Sequence, residues 1–124
     1  MNKTLDFSAL TAYCLLIYWL SDQASLPAPM WFENQDKLHH AIAYGIMGFI
    51  ALRAFQHIVS KPIILALLSL VFCSLYGVSD EWHQAFVPGR EPGAADWLAD
   101  TLGAALAISL FTPKQRFLLK SWIK

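Results

Sequence analysis

Four apolar segments, roughly Leu5 to Leu20, His40 to Leu52, Pro62 to Val78 and Trp97 to Phe111, take up about half of a chain of 124 residues. Each comes near, or falls somewhat below, the ~20 residues that carry a helix across a ~30 Å hydrocarbon layer. The second is the shortest, so its span must borrow the polar flank from Asp36 or run on to Ile58. Unpaired backbone groups cannot face lipid, and the segments lack the two-residue alternation of a membrane barrel. The sequence therefore predicts an all-α, polytopic membrane protein. It is one domain over 1–124, with four transmembrane helices near 5–20, 37–57, 62–80 and 96–111 and a basic tail over 113–124. Composition agrees: hydrophobic residues make up 56% and charged residues 15%, a balance that a small water-soluble domain could not hide in one core.

Asp6, near the start of the first segment, and Tyr13, Tyr18 and Trp19 within it suit a retained helix better than a cleaved signal peptide. Cys14 and Cys73 lie inside apolar segments and read as small buried hydrophobes, with no disulfide or zinc spacing around them. With zero formal net charge and no nucleic-acid motif, nothing points to a nucleic-acid partner, and no cofactor fingerprint is present.

Lys and Arg orient the chain. With the N-terminus cytoplasmic, the inner side receives Lys3, Arg53, Lys61, Lys114, Arg116, Lys120 and Lys124, and the outer side only Lys37 and Arg90. That positive-inside bias puts both termini in the cytoplasm. Trp19, Trp31, Trp82 and Trp97 then fall at the outer boundary as an aromatic belt, with Trp122 at the inner one. The tail TPKQRFLLKSWIK alternates basic and apolar residues, as a positive-inside anchor or a short interfacial helix does.

Against this background YGVSDEWHQAFVPGREPGAADWLADTLGA, positions 76 to 104, stands out because it gathers Asp80, Glu81, Arg90, Glu91, Asp96 and Asp100 at the outer side. Tyr76, Asp80 and Gln84 are four apart and share a face if the third helix continues past Val78; Asp96, Asp100 and Gly103 share a face of the fourth. Asp36, His40 and Tyr44 repeat the interval at the start of the second. Charges inside a membrane turn inward and pair. These stripes thus predict one outward-opening polar cup, with Arg90 folded back over the acids and the turn pairs Pro88-Gly89 and Pro92-Gly93 shaping a loop above it.

The pattern Asp36-Lys37-x-x-His40-x-x-x-Tyr44, then Tyr76-Gly77-x-x-Asp80-Glu81-x-His83-Gln84, then Arg90, Asp96 and Gly103, resembles the VanZ-like family of small bacterial membrane proteins. The resemblance spans Asp36 to Leu110. It implies a multi-helix protein of the cell envelope, in a family named for a member linked to teicoplanin resistance and without an agreed biochemical activity. The family's marked residues fall on Asp36, Lys37, His40, Tyr44, Asp80, Glu81, Gln84, Arg90, Asp96 and Gly103, and Asp100 is a departure, since many relatives carry Asn there.

Duller readings stand beside these. Asp36 and Asp96 suit helix N-termini, where carboxylates meet orphan amides and the helix dipole. His39, His57 and His83 read as interfacial histidines without a role, and Ala41/Gly45 and Gly103/Ala107 as small-residue packing pairs. Tyr44 and Tyr76 satisfy buried carboxylates in the plain reading, and Asp80, Glu81 and Arg90 form an ion-pair lock. Three function classes fit. As a binding or transport protein, the cup captures an anionic lipid-linked cell-wall precursor or a glycopeptide-related ligand through Arg90, Gln84, Tyr44, Tyr76, Asp96, Asp100, Asp36 and Lys37, among the membrane lipids. As an enzyme, Glu81, His40 and Asp80 carry acid–base chemistry on a lipid-linked substrate. Metal assistance is a variant of it, with the ligand types present but no compact ligand motif. As a structural protein, the stripes only hold helices or recruit a partner. The sequence leaves oligomeric state open.

Overall fold

The computed structural model describes residues 2–23, 31–32, 35–89 and 93–123, with side chains as far as Thr112. The expected architecture is present: four helices, α1 (Lys3–Ser21), α2 (Gln35–Phe55), α3 (Pro62–Gln84) and α4 (Ala94–Ile123), and no strand among the described residues. All four are long and apolar enough to cross a membrane, with the fourth span running over Ala94–Thr112.

Local chemistry sets the helix starts. The Asn2 side chain accepts from the Leu5 amide at 3.2 Å and caps α1. Pro62 opens α3 at a position whose amide has no helical partner. Asp36 and Asp96 occupy first turns, where the exposed amides favour a carboxylate. In the loop after α3, Gly89 takes φ 85, in the left-handed region that a glycine enters without a Cβ penalty.

Two helix ends differ from expectation. α3 ends at Gln84, not Asp80, so the Tyr76–Asp80–Gln84 stripe lies on one continuous helix. α4 does not stop near Phe111 before a separate tail; its backbone stays helical to Ile123, because no glycine or turn pair lies beyond Phe111 and the single Pro113 removes an amide donor without ending the helix. The side chains of the basic tail, Trp122 among them, lie outside the described residues.

α2 is central and packs on all three other helices, with its broadest interface against α4. α3 also touches α1 and α4, whereas among the described residues α1 and α4 do not meet, so they flank the α2–α3 pair. The α2–α4 interface is a small-residue seam. A Cβ on Gly45 would stand 3.4 Å from the Gly103 carbonyl oxygen, one on Gly48 3.1 Å from that of Ala104, and one on Gly103 would collide with the Ala41 backbone. At Gly103 glycine is required by the close approach of two backbones, the use that such spacings have inside membranes.

Burial is inverted relative to a soluble protein. Ser69, Asp80, Gln84, Asp96 and Asp100 are buried beside the apolar core of Tyr44, Met47, Ala51, Leu52, Cys73 and Ala104. Leu15, Leu67, Leu75, Leu102 and Leu106 point outward, as do Trp19 and Trp82. Lipid accepts that apolar exterior, and the polar groups find partners only inside.

Candidate functional site

The polar residues collect at the ends of the helices where α1 and α3 finish and α2 and α4 begin. Asp80, one turn before the end of α3, is the hub. Its Oδ1 accepts from the Ser21 hydroxyl at the last residue of α1. Its Oδ2 accepts from the Tyr44 hydroxyl of α2 at 3.1 Å. Gln84, one turn on, donates to Ser21 Oγ at 3.5 Å. A carboxylate has about four acceptor sites, so two donors leave Asp80 with capacity for a ligand.

Beside this hub His40 Nδ1 lies 2.7 Å from Asp100 Oδ1. Asp100 is wholly buried and packs on α3 at Gly77, where a Cβ would stand 3.2 Å from its Oδ2. The bare backbone of Gly77 is what admits a carboxylate between α3 and α4. With Nδ1 engaged, Nε2 is the His40 nitrogen that a ligand can use.

At the rim, Lys37 Nζ bridges Asp36 Oδ2 at 2.8 Å and Asp96 Oδ1 at 2.7 Å, joining α2 to α4. Glu81 Oε2 accepts from the Gly93 amide at 3.0 Å, tying α3 to the start of α4. Among the described residues, Glu81 Oε1 and Asp100 Oδ2 are buried without a hydrogen-bond partner. One ligand atom each from His40, Asp80 and Asp100 lie within 4.8 Å of one another, and so do those of His40, Glu81 and Asp96.

A pocket opens beside the hub between α1, α2 and α3. Ser21, His39, His40, Tyr44, Asp80 and Gln84 give it polar lining, and Ile17, Leu20 and Ala43 apolar lining, around about 430 Å³ of space that includes open exterior.

Of the site residues expected from sequence, His40, Tyr44, Asp80, Glu81, Gln84, Asp96 and Asp100 thus meet, with Lys37 and Asp36 at their edge. Tyr76 does not join them: its hydroxyl donates to the Cys14 carbonyl of α1 at 2.5 Å, deeper in the bundle. Arg90 and its neighbours Glu91 and Pro92 lie outside the described residues, and among those described Lys37 is the cation that pairs with the acids. His39 lines the pocket and lies 3.4 Å from Gln35 Nε2. His83 stacks on Tyr18 and meets Asp22 Oδ1 at 3.0 Å.

A family model described as VanZ/LLP1 matches residues 6–119. The chain belongs to the VanZ/LLP1 family. No curated protein matches it, and no solved structure does. The VanZ/LLP1 match begins at Asp6 and so takes in α1, which the motif resemblance from Asp36 onward does not reach. α1 supplies Ser21, the site residue that sequence reasoning missed. Its one signal is position: a hydroxyl closes the first apolar run beside Asp22, at the same membrane level as the other stripes. A second polar group was also missed. Near the other ends of the helices, buried Asp6 of α1 meets Arg53 Nε at 3.1 Å and His57 Nε2 at 2.7 Å. That trio pairs its charges fully and ties α1 to the end of α2, so it is a structural tether.

Proposed function

We propose that this VanZ/LLP1 protein sits in a bacterial cytoplasmic membrane with both termini cytoplasmic and uses its outward-facing pocket to bind, or carry, the headgroup of an anionic lipid-linked molecule of the cell wall. The observation that carries this reading is the mixed lining of the pocket. Ile17, Leu20 and Ala43 offer apolar surface to a lipid chain, and Ser21, His40, Tyr44, Asp80 and Gln84 offer polar groups to its headgroup. Pockets built as an apolar body with a few convergent polar groups are the usual form of a small-molecule site. The outward side follows from the positive-inside bias of Lys and Arg.

A polyprenyl phosphate presented in nanodiscs of zwitterionic lipid is the direct probe. Saturable binding is expected, and a polyprenol of the same length lacking the phosphate should not compete. Ser21→Ala with Gln84→Ala should weaken binding at least tenfold while the protein stays folded. Equal binding by the double variant, or none by the natural chain, refutes the reading.

The His40–Asp100 pair favours a second reading, that of an enzyme. A buried carboxylate fixes the imidazole through Nδ1 and leaves Nε2 to exchange a proton with a bound substrate, with Glu81 as the second acid–base group. Release of inorganic phosphate, or transfer of the headgroup, by the purified chain but not by His40→Gln distinguishes this reading from binding alone.

A further inference from the structure

Among the described residues, five carboxylates, Asp36, Asp80, Glu81, Asp96 and Asp100, meet Lys37 and the His40 imidazole. Lys37 is already shared between Asp36 and Asp96. Buried charge at membrane depth is costly unless paired, and an anionic headgroup would add to the excess. Among the described residues a further cation is the missing partner.

We infer that His40, Asp80 and Asp100 hold a divalent first-row metal ion, Zn²⁺ or Mn²⁺, with Glu81 and Asp96 beside it. The donors come from α2, α3 and α4, and their ligand atoms already lie within 4.8 Å of one another. Independent support comes from Asp100 Oδ2. The side chain is 0% exposed, this oxygen has no hydrogen-bond partner among the described residues, and it faces Gly77 on the stretch of α3 that carries Asp80 and Glu81. Buried carboxylate oxygens in proteins are bonded, protonated or on a metal. Glu81 Oε1, likewise without a partner among the described residues, lies in the overlapping His40–Glu81–Asp96 group.

The donor set selects the metal. One imidazole nitrogen with carboxylate oxygens suits Zn²⁺ or Mn²⁺; Mg²⁺ and Ca²⁺ favour all-oxygen shells. The donors of Ser21 and Tyr44 on Asp80 have the place of outer-shell partners that orient a ligating carboxylate. A phosphate oxygen of a headgroup would complete the ion's coordination, and in that role alone the inference rests on the headgroup reading.

The ion itself is tested without any polyprenyl probe. Protein in zwitterionic nanodiscs is stripped with a chelator, dialysed and titrated with Zn²⁺ or Mn²⁺, reading metal per chain by mass spectrometry and the thermal midpoint in parallel. One equivalent per chain and a raised midpoint are expected for one of the two ions. His40→Gln and Asp100→Asn should each weaken binding at least tenfold, and Asp22→Asn, at the surface contact with His83, should leave it within twofold. No saturable binding to the natural chain overturns the inference, and needs no variant to fold. Full affinity in folded His40→Gln, or loss confined to Asp22→Asn, overturns it too by placing the ion elsewhere. If metal binding fails while polyprenyl phosphate still binds, only the ion falls, and Asp100 carries a proton instead. If metal binds and the phosphate probe does not, only the headgroup reading falls.

Discussion

Gly103→Ala should separate the α2–α4 seam from an ordinary helix contact by the sign of its effect. At a roomy helical position, glycine to alanine gains about 1 kcal/mol because less backbone entropy is lost on folding. At Gly103 the new Cβ would stand 2.7 Å from both the Cα and the carbonyl carbon of Ala41, and nearer still to the carbonyl oxygen. Backbone atoms cannot turn aside as a side chain does, so recovering an ordinary contact of about 3.5–4.0 Å moves α4 away from α2 by about 1 Å. Overpacking of this kind costs roughly 1–3 kcal/mol, so after the propensity gain a net loss of about 1 kcal/mol is expected. The displacement also reaches the site. Ala41 follows His40 directly and Gly103 lies one turn after Asp100, so their 2.7 Å contact would open to about 3.7 Å, past hydrogen-bond reach. Unfolding of the purified variant by heat or by SDS titration gives the stability. Gly45→Ala is the control, since its Cβ meets Gly103 at an ordinary 3.4 Å and should be neutral or mildly stabilising. Gly103→Ala as stable as the natural chain, with metal and headgroup binding unchanged, would refute the reasoning that a backbone contact holds these two side chains together.

Three further outcomes are expected. Glu81→Gln keeps volume and its bond from the Gly93 amide, so the folded protein should persist with its melting temperature within about 2 °C while ligand affinity falls at least fivefold; a folded variant with full affinity removes Glu81 from the site. Asp6→Asn should lower stability by about 2 kcal/mol in SDS titration, below the ~3–5 kcal/mol of a fully buried pair because Arg53 is 36% exposed, and an unchanged midpoint would show that the trio holds nothing. Reporter fusions after Ser60 and Lys124 should score cytoplasmic and one after Pro29 external, and an external signal at Lys124 would reverse the side on which the pocket opens.

Much of this was legible in the chain because membranes make sequence patterns literal. Span length fixed four helices, and the four-residue interval put His40 with Tyr44 and Asp80 with Gln84 on single faces. What spacing cannot give is the rotation of one helix about its axis relative to its neighbours. Tyr76 shares the Asp80 stripe and yet bonds the Cys14 carbonyl, because one turn deeper that face of α3 looks onto the α1 backbone. Asp100 shares the Asp96 stripe of α4, but its seat depends on Gly77 across the helix pair, which no interval along one helix reveals. Ser21 stayed hidden because a lone hydroxyl at a helix end looks like any interfacial serine until Asp80 is placed against it. The Asp6–Arg53–His57 trio hid similarly, since Asp6 lies 47 and 51 residues before its two partners.

The two flanks of the bundle are fastened by different means. Below its polar end α4 meets α2 backbone against backbone, and nothing a small molecule offers can stand in for that fit. Beside the pocket α1 hangs on hydroxyl and carboxylate bonds: Ser21 to Asp80, Tyr76 to Cys14, Asp22 to His83. Such bonds are exchangeable currency. A sugar or phosphate hydroxyl reaching Asp80 presents the same group that Ser21 now presents, and it can take that place without leaving the carboxylate bare. The wall of α1 is therefore the side on which a guest and the protein compete for the same acceptor.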